Sequence, residues 1–155
     1  RAVESVSYFG GEEIRGIIAN AHVDDAEEMR LSAGFAMGRS LDGWWLDTVL
    51  TELSSPCPAM RYEAARACGE LENPKAVLAP IGLVKDVDIE VRCAAIWALG
   101  QIGGDEAREA LMACRQSEDT VVAEAAEEAL FALEFSRRLP EVPLKSWFLD
   151  EIEEE

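Results

Sequence analysis

Small apolar residues recur along the chain with the spacing of a helix. Between Ile89 and Gly103 they are separated by three and four residues, which places them on one face of an α-helix. They are Val91, Ala94, Ala95, Ala98, Leu99 and Ile102. Asp88 stands where an N-cap carboxylate accepts the free N–H groups of a first turn. The pattern therefore predicts an amphipathic helix here, with Gly100 and Gly103-Gly104 as suitable stops.

The same frame returns at a constant offset of 31 residues. Its two most similar copies are Arg61–Gly69 and Arg92–Gly100, and more divergent copies cover 30–38 and 123–131. The alanines align in two columns: Ala33, Ala64, Ala95 and Ala126, then Ala36, Ala67, Ala98 and Ala129. A fixed period of roughly 20–50 residues is the sequence sign of a solenoid. Alanine in these columns allows neighbouring helices to lie close together.

A second apolar segment follows each alanine-rich one, at 42–53, 74–84 and 106–115. One helix pair cannot bury its apolar faces alone, whereas stacked pairs bury a continuous core. The sequence therefore predicts an all-α, right-handed solenoid of about five antiparallel helix pairs. The predicted units, in one domain of 155 residues, are 1–26, 27–57, 58–88, 89–119 and 120–155.

The two ends depart from the regular frame. Residues 1–26 continue it backwards, with a turn at Gly10-Gly11 before the next helix. The last unit contains a long predicted helix, 121–135, which Arg137–Pro140 is expected to break. Leu144, Trp147, Phe148 and Ile152 are then expected to cap the core, ahead of an acidic tail. Because the chain begins at Arg1 rather than Met, a segment of a larger protein is one interpretation.

The most regular copy resembles the HEAT-like repeat family in a short form. The resemblance is carried by Asp86-Val-Asp88, Val91-Arg92, Ala95, Ala98-Leu99-Gly100 and Ile102-Gly103. Clear copies cover about residues 27–134, although Gly34 interrupts the first, and Ala123 and Phe131 replace the arginine and glycine in the fourth. The resemblance implies an α-solenoid that binds proteins. The phycobilisome lyases, which attach chromophores to partner proteins, have similar short repeats.

Charge narrows the classes of partner. The chain has 31 acidic and 14 basic residues, a net charge of −17. A nucleic-acid groove needs cations that neutralise phosphates, so neither nucleic acid nor an anionic membrane is expected as a partner. A protein with a basic surface is allowed, and the alternative is that the charge only keeps an elongated surface soluble. Four scattered cysteines without a C-x-x-C pair suit a reducing, cytoplasmic compartment.

Catalytic chemistry finds little support in the sequence. The one histidine, His22, lies in a loop-like stretch beside Asp24 and Asp25, and phosphate-loop, nucleophile-elbow and zinc-protease motifs are absent. HEAT-like hydroxylases that hold iron use several His-Glu pairs, and the sequence has none. We therefore expect no metal, no cofactor and no catalysis. The alternatives are a chromophore lyase-type protein or a chaperone that acts on a bound partner.

Contact residues are predicted on two faces. On the second helices we expect Trp44, Asp47, Lys75, Leu78 and Glu109 to contact a partner. Trp45 is expected in the core, whereas Trp44 is either a partner anchor or packed under the preceding unit. On the other face we expect Tyr62 and Trp97, which with Leu31 and Phe35 form an apolar stripe. Either a partner, a second copy of the chain, a flanking domain or the curvature of the array covers that stripe.

Overall fold

The computed structural model describes residues 2–6 and 11–138, and every regular element in these ranges is helical. The α-helices are α1 (Ala2–Val6), α2 (Glu12–His22), α3 (Glu27–Arg39), α4 (Leu46–Glu52), α5 (Pro58–Leu71), α6 (Leu78–Leu83), α7 (Ile89–Ile102), α8 (Asp105–Cys114) and α9 (Thr120–Arg138). The all-α prediction is confirmed. The predicted cap at Leu144, Trp147, Phe148 and Ile152 lies outside the described residues, as does Gly10.

The helices form an array rather than a bundle around one centre. The odd-numbered helices pack in chain order, α1 on α3, α3 on α5, α5 on α7 and α7 on α9. The even-numbered helices lie beside them, with α4 on α5, α6 on α7 and α8 on both α7 and α9. Each pair therefore contacts its neighbours along the chain, which is the arrangement of a solenoid.

Three glycines lie where consecutive odd-numbered helices come closest. A Cβ on Gly38 would be 2.8 Å from Ala67 Cα, and one on Gly69 would be 2.9 Å from Ala98 Cα. These distances are shorter than real Cβ contacts, so only glycine fits. The prediction that Gly100 stops its helix is wrong. Gly100 is buried inside α7, which ends two residues later at Ile102. A glycine is found here because α9 lies so close that a side chain would meet Ala129.

Two of the predicted second helices are shorter and begin differently from the prediction. The segments expected over 42–53 and 74–84 each open with one turn of 3₁₀ helix, Gly43–Trp45 and Pro74–Ala76, before α4 and α6. The cause is local, because Asp42 and Asn73 accept a hydrogen bond from the backbone N–H two residues ahead. The last helix, α9, differs in the opposite way, because it continues to Arg138, beyond its predicted end at Phe135.

The turns before α3, α5, α7 and α9 repeat with the period of the sequence. Asp24, Ser55, Asp86 and Ser117 each accept a hydrogen bond from the N–H two residues ahead. These bonds form Asx and Ser turns that fix the entry into the next helix. The predicted N-cap at Asp88 is confirmed, since its Oδ1 accepts from Glu90 N and Val91 N at 2.9 and 3.2 Å.

Candidate protein-binding surface

Trp44 is an exposed aromatic ring held in a defined position. It is 57% exposed, whereas the adjacent Trp45 is only 2% exposed and fills the core as predicted. The two rings meet edge to face, with centroids 4.5 Å apart. The guanidinium of Arg15, from α2, lies 5.5 Å from the Trp44 ring centroid. Trp44 therefore contacts the preceding unit through Arg15 and still leaves more than half of its side chain exposed, and its role as a partner anchor stays a prediction.

Asp42 connects these groups into one network. Its Oδ2 accepts a hydrogen bond from Arg15 Nε at 2.7 Å, and its Oδ1 accepts from Trp44 N at 3.1 Å. The bond from Arg15 holds the pKa of the Asp42 carboxyl below its usual value. Trp44 is thus positioned by a charged pair from two neighbouring helix pairs. Sequence reasoning missed Arg15, because no repeat spacing relates it to Asp42.

The other residues predicted on the second helices are solvent-accessible. Leu78 is 72% exposed, and Asp47, Lys75 and Glu109 are exposed as well. They occupy equivalent places in successive pairs, because Lys75 follows Trp44 by one period and Leu78 and Glu109 follow Asp47 by one and two. Trp44 lines a cleft with Glu12, Arg15, Gly16 and Ala19. The other predicted contacts on the second helices do not line this cleft.

Tyr62 lies in a different depression, which we call the acidic groove. It crosses the N-terminal ends of α3, α5 and α7 and has a volume of about 440 Å³. Its lining includes Leu31 and Tyr62 together with four acidic residues, Glu27, Glu63, Asp88 and Glu90. Burial raises the pKa of Glu63, and Arg66, whose Nε lies 3.2 Å from Glu63 Oε2, opposes that rise. The acidic members were not among the predicted contacts.

The predicted apolar stripe on the odd-numbered helices is largely covered by the array itself. Leu31, Phe35 and Tyr62 are half-buried, and Trp97 is 40% exposed. The Phe35 ring lies 4.5 Å under the guanidinium of Arg66 on the next helix. The Trp97 indole lies over Gly69, where an added Cβ would be 2.5 Å from its Cζ3. Stacking of neighbouring helices therefore covers much of this face.

His22 is placed differently from the prediction. It is the last residue of α2 rather than part of a loop. Its Nε2 lies 3.4 Å from Glu52 Oε1, so its partner is the next helix pair and not Asp24 or Asp25.

Within residues 2–6 and 11–138, no three His, Cys, Asp or Glu side chains are grouped as metal ligands. Over the same part of the chain, no helix has the length and apolar content needed to cross a bilayer.

Three known proteins share sequence or structure with this chain. Bilin biosynthesis protein PecE from Mastigocladus laminosus is 39% identical over 84 residues, which are 54% of this chain and 31% of that protein. The chain thus spans about a third of PecE. Human deoxyhypusine hydroxylase in complex with glycerol superposes with a TM-score of 0.68 at 24% identity, covering 81% of this chain and 45% of that one. An engineered protein superposes at 0.61 and 20% identity, covering 86% and 71%.

The two structural similarities establish the fold alone. The helical array, the period of 31 residues and the match of residues 46–130 to the family described as HEAT repeats agree with one another. That match extends over more than half of the chain. The chain belongs to the HEAT repeat family.

Proposed function

We propose that this chain is a non-catalytic protein-binding module, a scaffold or adaptor whose second helices present side chains to a partner. The observation that carries the proposal is the exposed and positioned ring of Trp44. Tryptophan is enriched among the residues that dominate binding energy at interfaces. A ring already fixed by Trp45, Arg15 and Asp42 loses little conformational freedom on binding, which favours affinity.

The array supports this proposal in a second way. The core positions recur with the period, whereas the exposed positions on the second helices change from pair to pair. One backbone therefore carries a surface whose side chains are free to vary without loss of packing. The net charge of −17 favours a partner with a basic surface and opposes binding to nucleic acid.

The test is capture of partner proteins on the immobilised chain, followed by titration with each purified candidate. Trp44→Ala is expected to weaken the binding of a true partner by about tenfold or more. Its fold should be retained, although the free energy of unfolding should fall by about 1–2 kcal/mol, because the contacts of the ring with Trp45 and Arg15 are lost. Phe131→Ala is the matched control, since Phe131 is an aromatic residue 71% exposed on α9. Equal affinity of the Trp44 variant and the wild type would refute the assignment of this face.

A second candidate function follows from the similarity to PecE. That protein is named for bilin biosynthesis, and 39% identity over 84 residues favours a role for this chain in chromophore handling. The chain would then act as a lyase-type protein or chaperone on a bound partner. Absorbance titration of the chain with an open-chain tetrapyrrole tests this candidate. A saturable spectral shift supports it, and an unchanged spectrum at all concentrations rejects it.

A further inference from the structure

The acidic groove combines an apolar floor with negative charge from three consecutive helix pairs. Leu31 on α3 and Tyr62 on α5 supply the apolar surface, and both are half-buried. Glu27 at the start of α3 and Glu90 at the start of α7 stand on either side of α5, since the helices stack in that order. The groove is therefore an elongated depression with exposed carboxylates at both sides of an aromatic centre.

Two arginines beside this groove, Arg61 and Arg92, pair with carboxylates that lie outside its lining. Arg61 donates two hydrogen bonds to Asp86, and Arg92 lies 3.3 Å from Asp119. Arg66 lies between Glu63 and Glu70, so it offsets only part of that local negative charge. Among the residues that the structure describes, no lysine or arginine lines the groove itself. The electrostatic potential here is therefore negative, and it attracts a cationic group.

We propose that the acidic groove binds an extended segment of a partner protein in which lysine or arginine residues flank an apolar side chain. The apolar side chain packs on Tyr62 and Leu31, and the cations pair with Glu27 and Glu90. This inference rests on the proposed protein-binding function and names the chemistry of its partner. It uses a surface different from that of Trp44, so the two are separable by experiment.

The probe is a fluorescein-labelled hexapeptide, Lys-Leu-Arg-Lys-Leu-Arg, titrated with the full chain and followed by fluorescence polarisation. Saturable binding that weakens as salt is raised is expected. A peptide with serine in place of both leucines should bind more weakly, because the apolar contact is lost. Glu27→Gln with Glu90→Gln should weaken binding by about tenfold. Tyr62→Ala should weaken it as well, with little change in its salt dependence.

The matched control is Glu127→Gln with Glu128→Gln on α9, which changes the net charge equally but lies outside both the groove and the predicted contacts. It should change affinity by less than about twofold, because distant exposed charges are screened. Equal losses in the two double variants would overturn the proposal and indicate attraction to the whole acidic surface. Failure of the peptide to bind would overturn it too. The Trp44 test is independent of both outcomes, so the proposed function and the groove can fail separately.

Discussion

The close approach of α5 and α7 can be tested by the addition of one methyl group. In Gly69→Ala the new Cβ would be 2.5 Å from Trp97 Cζ3 and 2.9 Å from Ala98 Cα. The indole of Trp97 is 40% exposed and has room to rotate, but the Ala98 contact involves backbone. The substitution therefore forces α7 away from α5.

Two opposing effects set the size of the change. Overpacking of a close-packed contact costs about 1–3 kcal/mol. Alanine in a helix interior is favoured over glycine by about 0.5–1 kcal/mol, which offsets part of that cost. Gly69→Ala should therefore lower the free energy of unfolding by about 1–2 kcal/mol, which lowers the melting temperature by roughly 2–8 °C in a chain of this size.

The assay is urea unfolding followed by circular dichroism, with Gly16→Ala as the matched control. Gly16 is also in a helix, α2, but an added Cβ meets nothing within 4 Å, so that variant should be stabilised by about 0.5–1 kcal/mol. Gly38→Ala should resemble Gly69→Ala, and Gly100→Ala should cost less because its nearest atom is at 3.0 Å. If Gly69→Ala and Gly16→Ala are stabilised equally, the stacking described here is refuted.

Two further predictions concern buried polar and thiol groups. The guanidinium of Arg61 and the carboxylate of Asp86 are only 12% and 8% exposed, so Arg61→Ala should destabilise the chain by about 1.5–3 kcal/mol in urea unfolding. The hydrogen bond from Arg61 lowers the pKa of Asp86 in the folded chain. The pair therefore stabilises the fold fully at pH values above the pKa of an unfolded aspartate, about 3.9. This stabilisation is lost as the pH falls through the lower pKa of the folded state. The difference between wild type and Arg61→Ala should therefore shrink below about pH 4, and a difference that grows there would contradict the pairing. Burial raises the pKa of Cys68 to about 12, so we expect that thiol to resist alkylation at pH 8 until urea unfolds the chain. The partly exposed Cys57 should react in the native state. Mass spectrometry of the alkylated peptides measures both reactions.

The period of the sequence was enough to predict the array but not the contacts between its members. Alanine columns and apolar spacing report which face of a helix is buried, so α7, the core position of Trp45 and the cap at Asp88 were all predictable. The role of Gly100 was not, because a glycine near a helix end has the same sequence signature as a stop. Only the distance to Ala129 distinguishes a close approach from a helix end.

The repeat period also gave no indication of which side chains pair across long stretches of the chain. Arg61 pairs with Asp86. The residues one period before and one period after Asp86 are Ser55 and Ser117, so this pair is not repeated along the chain. The network that positions Trp44 likewise joins Arg15 and Asp42 across two units. Such pairs depend on the three-dimensional offset between helices, which a one-dimensional repeat does not contain. The candidate surface was therefore predictable as a face, and its geometry was not.

The most direct test of the stacked array is nuclear Overhauser spectroscopy of the folded chain. Cross-peaks are expected from the Hα protons of Gly38 to Ala67, of Gly69 to Ala98 and of Gly100 to Ala129, because each glycine lies against the alanine of the next odd-numbered helix. All three contacts should appear together, at one constant step along the sequence. Absence of these cross-peaks, or cross-peaks that join helices not adjacent in the array, would contradict the account.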